Sequence, residues 1–224
     1  TNVKLLATGK RAPRKVPSGP AMTAPAMVEA VQQLAADWSY DVIALGYPGA
    51  VLRGRPAADP KNLGEGWGAF DFEKAFGCPV KVVNDAAMQA LGSYEGGRML
   101  FLGLGTGLGS ALITDGVLVP MELAQRRYKK GRTYEDYVGL RGLKRYGKKK
   151  WRQYVEDVVS ALRDALQADY VVLGGGNAVK LNRLPERVRL GNNAHAFLGG
   201  FRLWEEAWQD ERPASVVRSG LVKK

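Results

Sequence analysis

The stretch that decides the fold is Met99-Leu100-Phe101-Leu102-Gly103-Leu104-Gly105-Thr106-Gly107-Leu108-Gly109-Ser110-Ala111-Leu112-Ile113-Thr114. Its two apolar ends predict buried strands, and the alternating glycines between them predict a tight turn. Because glycine has no side chain, the backbone N–H groups of such a turn can approach phosphate oxygens closely. The segment lacks the Gly-Lys-Ser/Thr of a Walker loop, and it does not open a helix as a dinucleotide fingerprint does. It therefore predicts a phosphate-binding turn at Gly105, Thr106 and Gly107, with a plain hairpin as the alternative.

Upstream of this hairpin, strands alternate with helices. The apolar run 41–46 (DVIALG) and the run 80–83 predict buried strands, and residues 86–94 predict a helix directly after the second of them. The loop from Tyr47 to about Trp67 is rich in Gly, Pro and Arg and is long for a connection in a compact domain. We expect it to be functional.

Downstream of the hairpin, apolar spacing predicts a long helix over residues 151–166, followed by a buried strand over 170–173. The pattern changes from strand–helix alternation to a strand–turn–strand hairpin near residue 98. We therefore expect two α/β domains, residues 1–97 and 98–224.

Composition favours a folded protein outside the membrane. Of the 224 residues, 46% are apolar and 25% are charged, and no apolar run reaches the roughly 18–20 residues that span a bilayer. The first residues, Thr1-Asn2-Val3-Lys4, lack the apolar stretch of a secretory signal. The single cysteine, Cys78, can form no internal disulfide. A cytoplasmic location is the expectation.

The net charge of +11 comes from 33 Lys and Arg against 22 Asp and Glu. Such a charge attracts polyanions in general. Two stretches concentrate it: Arg126, Arg127, Lys129, Lys130 and Arg132, and then Lys144, Arg145, Lys148, Lys149, Lys150 and Arg152. They form either solvated loops and helix ends or a polyanion-binding surface, and the sequence leaves both open.

Asn84 and Asp85 lie where a parallel strand ends, the edge at which open α/β sheets bind ligands. Asp85 is therefore a catalytic candidate, although an Asp here can equally start the next helix. Glu122 and Glu135 are candidates for bidentate hydrogen bonds to sugar hydroxyls. A favourable charge in a first helical turn is the alternative for Glu135.

Gly174, Gly175 and Gly176 follow the last predicted buried strand. Three glycines allow the close approach of an adenosine, and they equally allow close packing of a helix on a strand. The segment is therefore a candidate nucleotide contact, with a packing role as the alternative.

Together these pieces resemble the ROK family, especially its polyphosphate and ATP glucokinases. The resemblance runs in order through almost the whole chain, and no single motif carries it alone. The matching residues are Gly46-Tyr47-Pro48-Gly49, Asn62, Val83-Asn84-Asp85-Ala86, Leu104 to Gly109, Glu122-Leu123-Ala124-Gln125, Glu135 and Leu173 to Gly176.

The resemblance implies an actin-like (ribonuclease-H-like) two-domain α/β sugar kinase fold with an interdomain cleft. It implies a hexose kinase, most of all a glucokinase, with Asp85 as the base that deprotonates the sugar 6-hydroxyl. It places Gly49, Asn62, Asn84, Glu122, Gln125 and Glu135 around the hexose. It places Gly105, Thr106 and Gly107 at the donor phosphates, and Gly174, Gly175 and Gly176 at adenosine. Mg²⁺ would accompany the donor, and a homodimer is common in the family.

The chain departs from the family pattern in three ways. The family's opening phosphate motif, Asp followed by Gly-Gly-Thr, would end at Thr1-Asn2-Val3-Lys4-Leu5. Either residues precede Thr1, or the protein lacks a strand and a phosphate-contacting Asp. Gln125 stands where the family has His. The family's zinc-binding cysteines are absent around Lys129 to Arg132, so no zinc is expected.

The expected donor is ATP, polyphosphate or both. The basic stretches and the absence of the cysteine cluster favour polyphosphate, and the glycine segment at 174–176 favours ATP. No nucleic-acid partner and no membrane partner are expected. Two alternatives stay open: a sugar-sensing regulator of the same family, and a degenerate kinase that binds sugar without turnover.

Overall fold

The computed structural model describes residues 2–60 and 62–205 of the chain. The predicted C-terminal domain includes residues 206–224, which lie outside the described part. Strands and helices mix along the described residues, which contain one five-stranded sheet and three two-stranded sheets.

The first half contains short sheets and three helices. Its elements are β1 (Asn2–Leu5), β2 (Arg14–Pro17), α1 (Ala24–Leu34), β3 (Ile43–Tyr47), β4 (Val51–Leu52), β5 (Arg55–Pro56), α2 (Phe72–Phe76), β6 (Val80–Asn84) and α3 (Asp85–Ser93). β1 and β2 form an antiparallel hairpin, whereas β3 pairs in parallel with β6. The small β4–β5 hairpin lies inside the loop expected from Tyr47 to Trp67.

The second half is built on one five-stranded sheet. Its elements are β7 (Arg98–Leu104), β8 (Leu108–Thr114), β9 (Val117–Met121), α4 (Tyr134–Val138), α5 (Leu140–Ala165), β10 (Tyr170–Gly174), a short 3-10 helix (Ala178–Lys180), β11 (Val188–Leu190) and α6 (His195–Arg202). The strand order is β11-β10-β7-β8-β9. The β7–β8 and β8–β9 pairs are antiparallel, and β10 runs parallel to both of its neighbours.

The hairpin predicted around residues 99–114 is therefore present. Leu104 pairs with Leu108, so the turn consists of Gly105, Thr106 and Gly107. The predicted buried strand at 170–173 is β10, and the predicted helix at 151–166 is the later part of α5. This helix starts earlier than predicted, at Leu140, and it is interrupted at Gly147, whose φ of 72° is non-helical.

The prediction of a buried strand at 41–46 is only partly correct. The strand is present as β3, but Ile43, Ala44 and Leu45 are half-buried and Gly46 is exposed. Apolar sequence alone does not bury a strand that has a paired neighbour on one side only.

Helices cover both faces of β3. Ile43 and Leu45 pack with the cluster that contains α1 residues, while Ala44 packs with the cluster built on α3. α6 joins α3 on this second face, where a methyl group on Gly200 would lie 3.4 Å from the Cβ of Ala44. Helix α6, the last helix of the described residues, therefore packs on the first half of the chain, and the domain boundary at 97/98 stays a prediction.

Candidate functional site

Asn84, the last residue of β6, caps helix α3. Its Oδ1 accepts hydrogen bonds from the backbone N–H groups of Ala86 (2.9 Å) and Ala87 (3.4 Å), and its Nδ2 donates to the carbonyl oxygen of Gly49 (2.8 Å). Because Asn84 performs the capping, Asp85 is the first residue of the helix and its carboxylate is not used as the cap. Asn84 also fixes the loop that carries Gly49.

The side chain of Asp85 opens into a cavity of about 770 Å³ that also contacts Asn62 and Pro48. Asp85 is exposed by its solvent-accessible surface, although its carboxylate also lies close to many protein atoms. Desolvation by these atoms raises the pKa of Asp85 above its ordinary value, and backbone N–H groups offset part of the effect. A carboxylate with a raised pKa at a cavity wall is suited to accept a proton.

The glycine-rich hairpin lies against the start of α3. A methyl group on Gly109 would lie 2.7 Å from the Cβ of Ala86, the residue after Asp85. Only glycine permits this approach. The same contact brings the loop after β9 towards the start of α3. β8 pairs with β9, and Ser110 stands opposite Met121, the residue before Glu122.

Glu135 meets the glycine turn from helix α4. Its Oε2 accepts a hydrogen bond from the backbone N–H of Leu108 (3.3 Å), and a methyl group on Gly107 would lie 2.4 Å from the same oxygen. Its Oε1 forms an ion pair with Arg141 (3.0 Å). Glu135 lies in the first turn of helix α4, which is the alternative that the sequence left open. Its carboxylate also lies beside the glycine turn.

Gln125 and Glu122 are exposed residues of the loop between β9 and α4, and the two residues between them, Leu123 and Ala124, are buried. The backbone N–H of Glu135 donates to the carbonyl oxygen of Ala124 (3.1 Å), which ties this loop to the start of α4. The two predicted hexose contacts on the loop and the third on α4 are therefore held in one unit.

The two glycine segments are neighbours in space. The backbone N–H of Asn177 donates to the carbonyl oxygen of Leu104 (2.9 Å), and its Nδ2 donates to the carbonyl oxygen of Gly105 (2.8 Å). A methyl group on Gly175 would lie 2.6 Å from the carbonyl carbon of Leu104. The predicted phosphate turn and the predicted adenosine segment are therefore in direct contact.

The sequence analysis missed three residues of this region. Asn177 is buried and joins the two glycine segments. Lys180 donates a short hydrogen bond to the Oδ1 of Asn177, which brings an ammonium group to the turn. Arg141 pairs with Glu135 beside the turn. The Asn directly after three glycines was a usable signal for the first, whereas the two cations are near the turn only through tertiary contacts.

Lysines of the two basic stretches differ in their contacts with other side chains. Lys129 forms an ion pair with Asp157 (3.0 Å) and lies over the ring of Tyr128. The hydrogen bonds with these partners raise the pKa of Lys129. Lys148, Lys149 and Lys150 are exposed on α5 directly after its interruption at Gly147.

The described residues contain no group of three or more His, Cys, Asp or Glu side chains placed to hold a metal ion. The part of the chain that the structure describes also has no helix long and apolar enough to cross a bilayer.

A mixed α/β fold, an acid at a strand end and a glycine hairpin beside it are the features that the predicted actin-like fold requires. The solved structures agree. The chain superposes on the inorganic polyphosphate/ATP-glucomannokinase from Arthrobacter sp. strain KM with a TM-score of 0.67 and 24% identity, covering 85% of this chain and 86% of that one. It superposes on a ROK family glucokinase from Streptomyces griseus, solved with glucose and AMPPNP, with a TM-score of 0.67 and 17% identity over 84% and 90% of the two chains.

Sequence comparison points to the same family. The chain is 29% identical over 150 residues to the polyphosphate glucokinase of Mycobacterium leprae, covering 61% of this chain and 46% of that protein. It spans about half the length of the curated relatives it matches. No family model matches the chain. The chain has the actin-like fold of the ROK sugar kinases, and its sequence resembles the polyphosphate glucokinases, which confirms the predicted fold class and resemblance.

Proposed function

We propose that the protein is a hexose kinase, most of all a glucokinase, which transfers a phosphoryl group from ATP or polyphosphate to the sugar 6-hydroxyl. The observation that carries this proposal is the contact of Gly109 with Ala86, because it brings the start of β8, directly after the phosphate-type glycine turn, to the residue next to Asp85. Phosphoryl transfer depends mainly on positioning and charge neutralisation, and a base beside a phosphate turn meets both needs.

In this proposal Asp85 accepts the proton of the 6-hydroxyl as that oxygen attacks the donor phosphorus. Asn62 lines the same cavity as Asp85. Gly49, Asn84, Glu122, Gln125 and Glu135 are not among the residues that line it, and in this proposal they contact the hexose from beyond its rim. Because Asn84 already bonds Gly49 and α3, its contribution to sugar binding is the position of that loop together with its remaining N–H. The hexose would lie at the carboxyl end of β3.

The donor would lie over the turn. The backbone N–H groups of Gly105, Thr106 and Gly107 would face its phosphates, with Lys180 and Arg141 as nearby cations. Gly174, Gly175 and Gly176 would flank adenosine, and Gly176 has open space around it. Residues 1–97 would supply the base and part of the sugar site, and residues 98–224 would bind the donor and supply the remaining sugar contacts.

Mg²⁺ fits this site as a companion of the donor. The described residues hold no three-ligand cluster for a resident metal, whereas Mg²⁺ usually takes most of its oxygens from water and substrate phosphates. Bound in this way it would neutralise charge on the phosphates. Zinc has no cysteine ligands in this part of the chain, since Cys78 is the only cysteine of the sequence. The use of ATP and the presence of a single cysteine favour a cytoplasmic location for the protein. A homodimer stays a prediction from the resemblance.

Replacement of Asp85 by Asn tests the role of the base. We expect kcat for glucose phosphorylation to fall by about 10²–10⁴-fold, because the amide cannot accept the proton. Glucose binding, measured by calorimetry, should change little. Asp115→Asn is the matched control, since Asp115 is exposed on the β8–β9 turn. An active Asp85→Asn enzyme would exclude Asp85 as the base.

The same variant has a second readout. The raised pKa of Asp85 means that the folded state disfavours the ionised carboxylate, so any stability contributed by the protonated form is lost as pH rises through the folded pKa. At neutral pH the carboxylate therefore opposes folding, and Asp85→Asn should raise Tm slightly while activity is lost. A lower Tm would indicate that Asp85 has a structural role instead.

Polyphosphate use is tested by replacing Lys148, Lys149 and Lys150 together with Ala. These three exposed cations can neutralise several phosphates at once, and that contribution is sensitive to salt. We expect KM to rise more for polyphosphate than for ATP. The control removes the same charge from three exposed lysines of the first half that do not line the cavity, Lys10, Lys15 and Lys74. Equal changes for both donors would remove this surface from the proposal.

A further inference from the structure

Arg141 lies beside the glycine turn because the start of helix α5 is bonded to that turn. The backbone N–H of Leu140 donates to the carbonyl oxygen of Thr106, the middle residue of the turn (3.2 Å). A methyl group on Gly139 would lie 3.1 Å from the same oxygen, so the junction between α4 and α5 packs directly on the turn. The backbone of Arg141 is therefore held next to Thr106.

Two carboxylates hold the guanidinium group of Arg141. Its Nη2 forms ion pairs with Oε1 of Glu135 (3.0 Å) and Oδ1 of Asp136 (3.4 Å), and Glu135 itself accepts the backbone N–H of Leu108. Both ion pairs use the same nitrogen of a group that has five N–H donors. The side chain is 63% exposed, so the remaining donors are accessible to a ligand at the turn.

The position of this cation in its helix is unfavourable. Leu140 is the first residue of α5 and Arg141 the second, and the partial positive charge at the start of a helix opposes a cation there. Within the described helix α5, the first turn contains no acidic residue and the N-cap makes no side-chain hydrogen bond. Packing does not explain an exposed side chain. A residue that breaks a local rule in this way commonly marks a functional site.

Lys180 approaches the opposite end of the turn. It donates to the Oδ1 of Asn177, whose Nδ2 donates to the carbonyl oxygen of Gly105 (2.8 Å). Gly105 directly follows β7, whereas Leu108 begins β8. Lys180 therefore reaches the turn at its β7 end, and Arg141 reaches it at its β8 end.

The proposed base lies at the same end of the turn as Arg141. Gly109, the second residue of β8, packs against Ala86, the neighbour of Asp85. β7 instead pairs with β10, which leads into the predicted adenosine segment. A phosphoryl group in transfer moves from the donor toward the acceptor oxygen. It would therefore move from the end of the turn near Lys180 toward the end near Arg141.

We propose that Arg141 is a catalytic residue that contacts the phosphoryl group during transfer, whereas Lys180 binds the part of the donor that remains as product. This inference rests on the proposed kinase function. The sugar oxygen forms a bond to the donor phosphorus and gives its proton to Asp85. The bond from that phosphorus to the bridging oxygen breaks, and the departing phosphate keeps the electron pair. Arg141 would neutralise charge on the oxygens of the phosphoryl group between these two bonds.

Three single variants test this division of roles: Arg141→Met, Lys180→Met and the control Arg187→Met. Arg187 matches Arg141 closely, because its side chain is 66% exposed and forms an ion pair with Glu186 (3.9 Å). It lies far from the turn, since its carbonyl oxygen accepts the N–H of Val171 at the amino end of β10. Steady-state kinetics are measured with glucose and with ATP and long-chain polyphosphate in turn.

We expect Arg141→Met to lower kcat by about 10²–10³-fold, because it removes a donor that acts on charge developed in the transition state. The loss should be the same with ATP and with polyphosphate, since both deliver the same phosphoryl group. KM for glucose should change little. Lys180→Met should raise KM for the donor and leave kcat within a few-fold of the parent. Arg187→Met should match the parent, and Tm should change little in all three variants.

Four results would overturn the proposal. An unchanged kcat in Arg141→Met would exclude a contact with the phosphoryl group in transfer. A higher KM for glucose with unchanged kcat would show that Arg141 only orients Glu135. A loss confined to one donor would place Arg141 on the departing part of that donor. An equal loss in Arg187→Met would indicate a general effect of charge.

Failure of this inference and failure of the kinase proposal give different results. An active Arg141→Met enzyme beside an inactive Asp85→Asn enzyme would overturn this inference alone. A parent that phosphorylates no hexose would overturn the proposed function, and calorimetry with magnesium tripolyphosphate then tests Arg141 without turnover. Arg141→Met should bind tripolyphosphate about threefold more weakly than the parent or worse, and Arg187→Met should bind it equally well. Equal binding by Arg141→Met and the parent would overturn the inference there too.

Discussion

β3 and β10 have similar apolar sequences, IALGY and YVVLG, but very different burial. The last four residues of β10 are buried, whereas only Tyr47 of β3 is. β10 has a paired strand on each side, β7 and β11, and β3 has only β6. The difference shows that an apolar strand is buried by its neighbours in the sheet, and that the sequence of the strand does not specify them.

The largest expected effect compares a core side chain of each region. Phe101 of β7 is 1% exposed, and a methyl group on Gly174 would lie 2.5 Å from its ring. Phe101→Ala should lower the free energy of unfolding by about 3–5 kcal/mol. Leu45→Ala in the half-buried β3 should lower it by only about 1 kcal/mol, because water already reaches the site. Urea titration measures both values, and a similar loss for the two variants would break the comparison.

A pair of adjacent glycines gives an intermediate effect in the tightly packed half. Gly175 has a φ of +82° and no room for a side chain against Leu104, whereas Gly176 has open space. Gly175→Ala should cost about 1–3 kcal/mol of stability and displace the turn at Gly105. Gly176→Ala is the control and should leave stability nearly unchanged. If Gly175→Ala lowers stability no more than Gly176→Ala does, the result would contradict the close contact between Gly175 and Leu104.

The smallest effect concerns an exposed ion pair in the loosely packed half. Arg14 of β2 bonds Asp37 and lowers the pKa of Asp37 from 3.8 to about 2. The contribution of the pair is present above pH 3.8 and is lost as pH falls toward 2. Asp37→Asn should remove a small part of the acid dependence of Tm between these values, and 1 M salt should weaken the effect in the parent. An unchanged acid limb would show that the pair contributes nothing measurable.

Local patterns predicted much of the fold. Three elements were predicted correctly from local signals, namely apolar periodicity or a glycine turn: the hairpin at 99–114, the strand at 170–173 and the later part of α5. The start of α5 at Leu140 was missed because Gly142 and Gly147 weaken the helical pattern there, while a Trp151 hydrogen bond to Val138 holds that end against the core.

The candidate site was predicted only in part. Asp85 and the glycine segments were found, because an acid at a strand end and alternating glycines are local signals. Asn177 reaches the site by a hydrogen bond to Gly105, which is 72 positions away in the sequence. Lys180 and Arg141 bond near neighbours in the sequence, Asn177 and Glu135, and they reach the site only because the fold places those two partners there. The roles of the predicted site residues await the experiments above.

The sequence by itself determined the glycine hairpin at 99–114 and the strand at 170–173, and that an acid and two glycine segments follow strands. Those properties follow from side-chain shape and local backbone freedom. Only the tertiary structure decided that Gly109 lies against Ala86 and that Asn177 joins the two glycine segments. The physical reason is that edges, contacts and cavities belong to pairs of distant segments, and their geometry is fixed only when the whole chain packs.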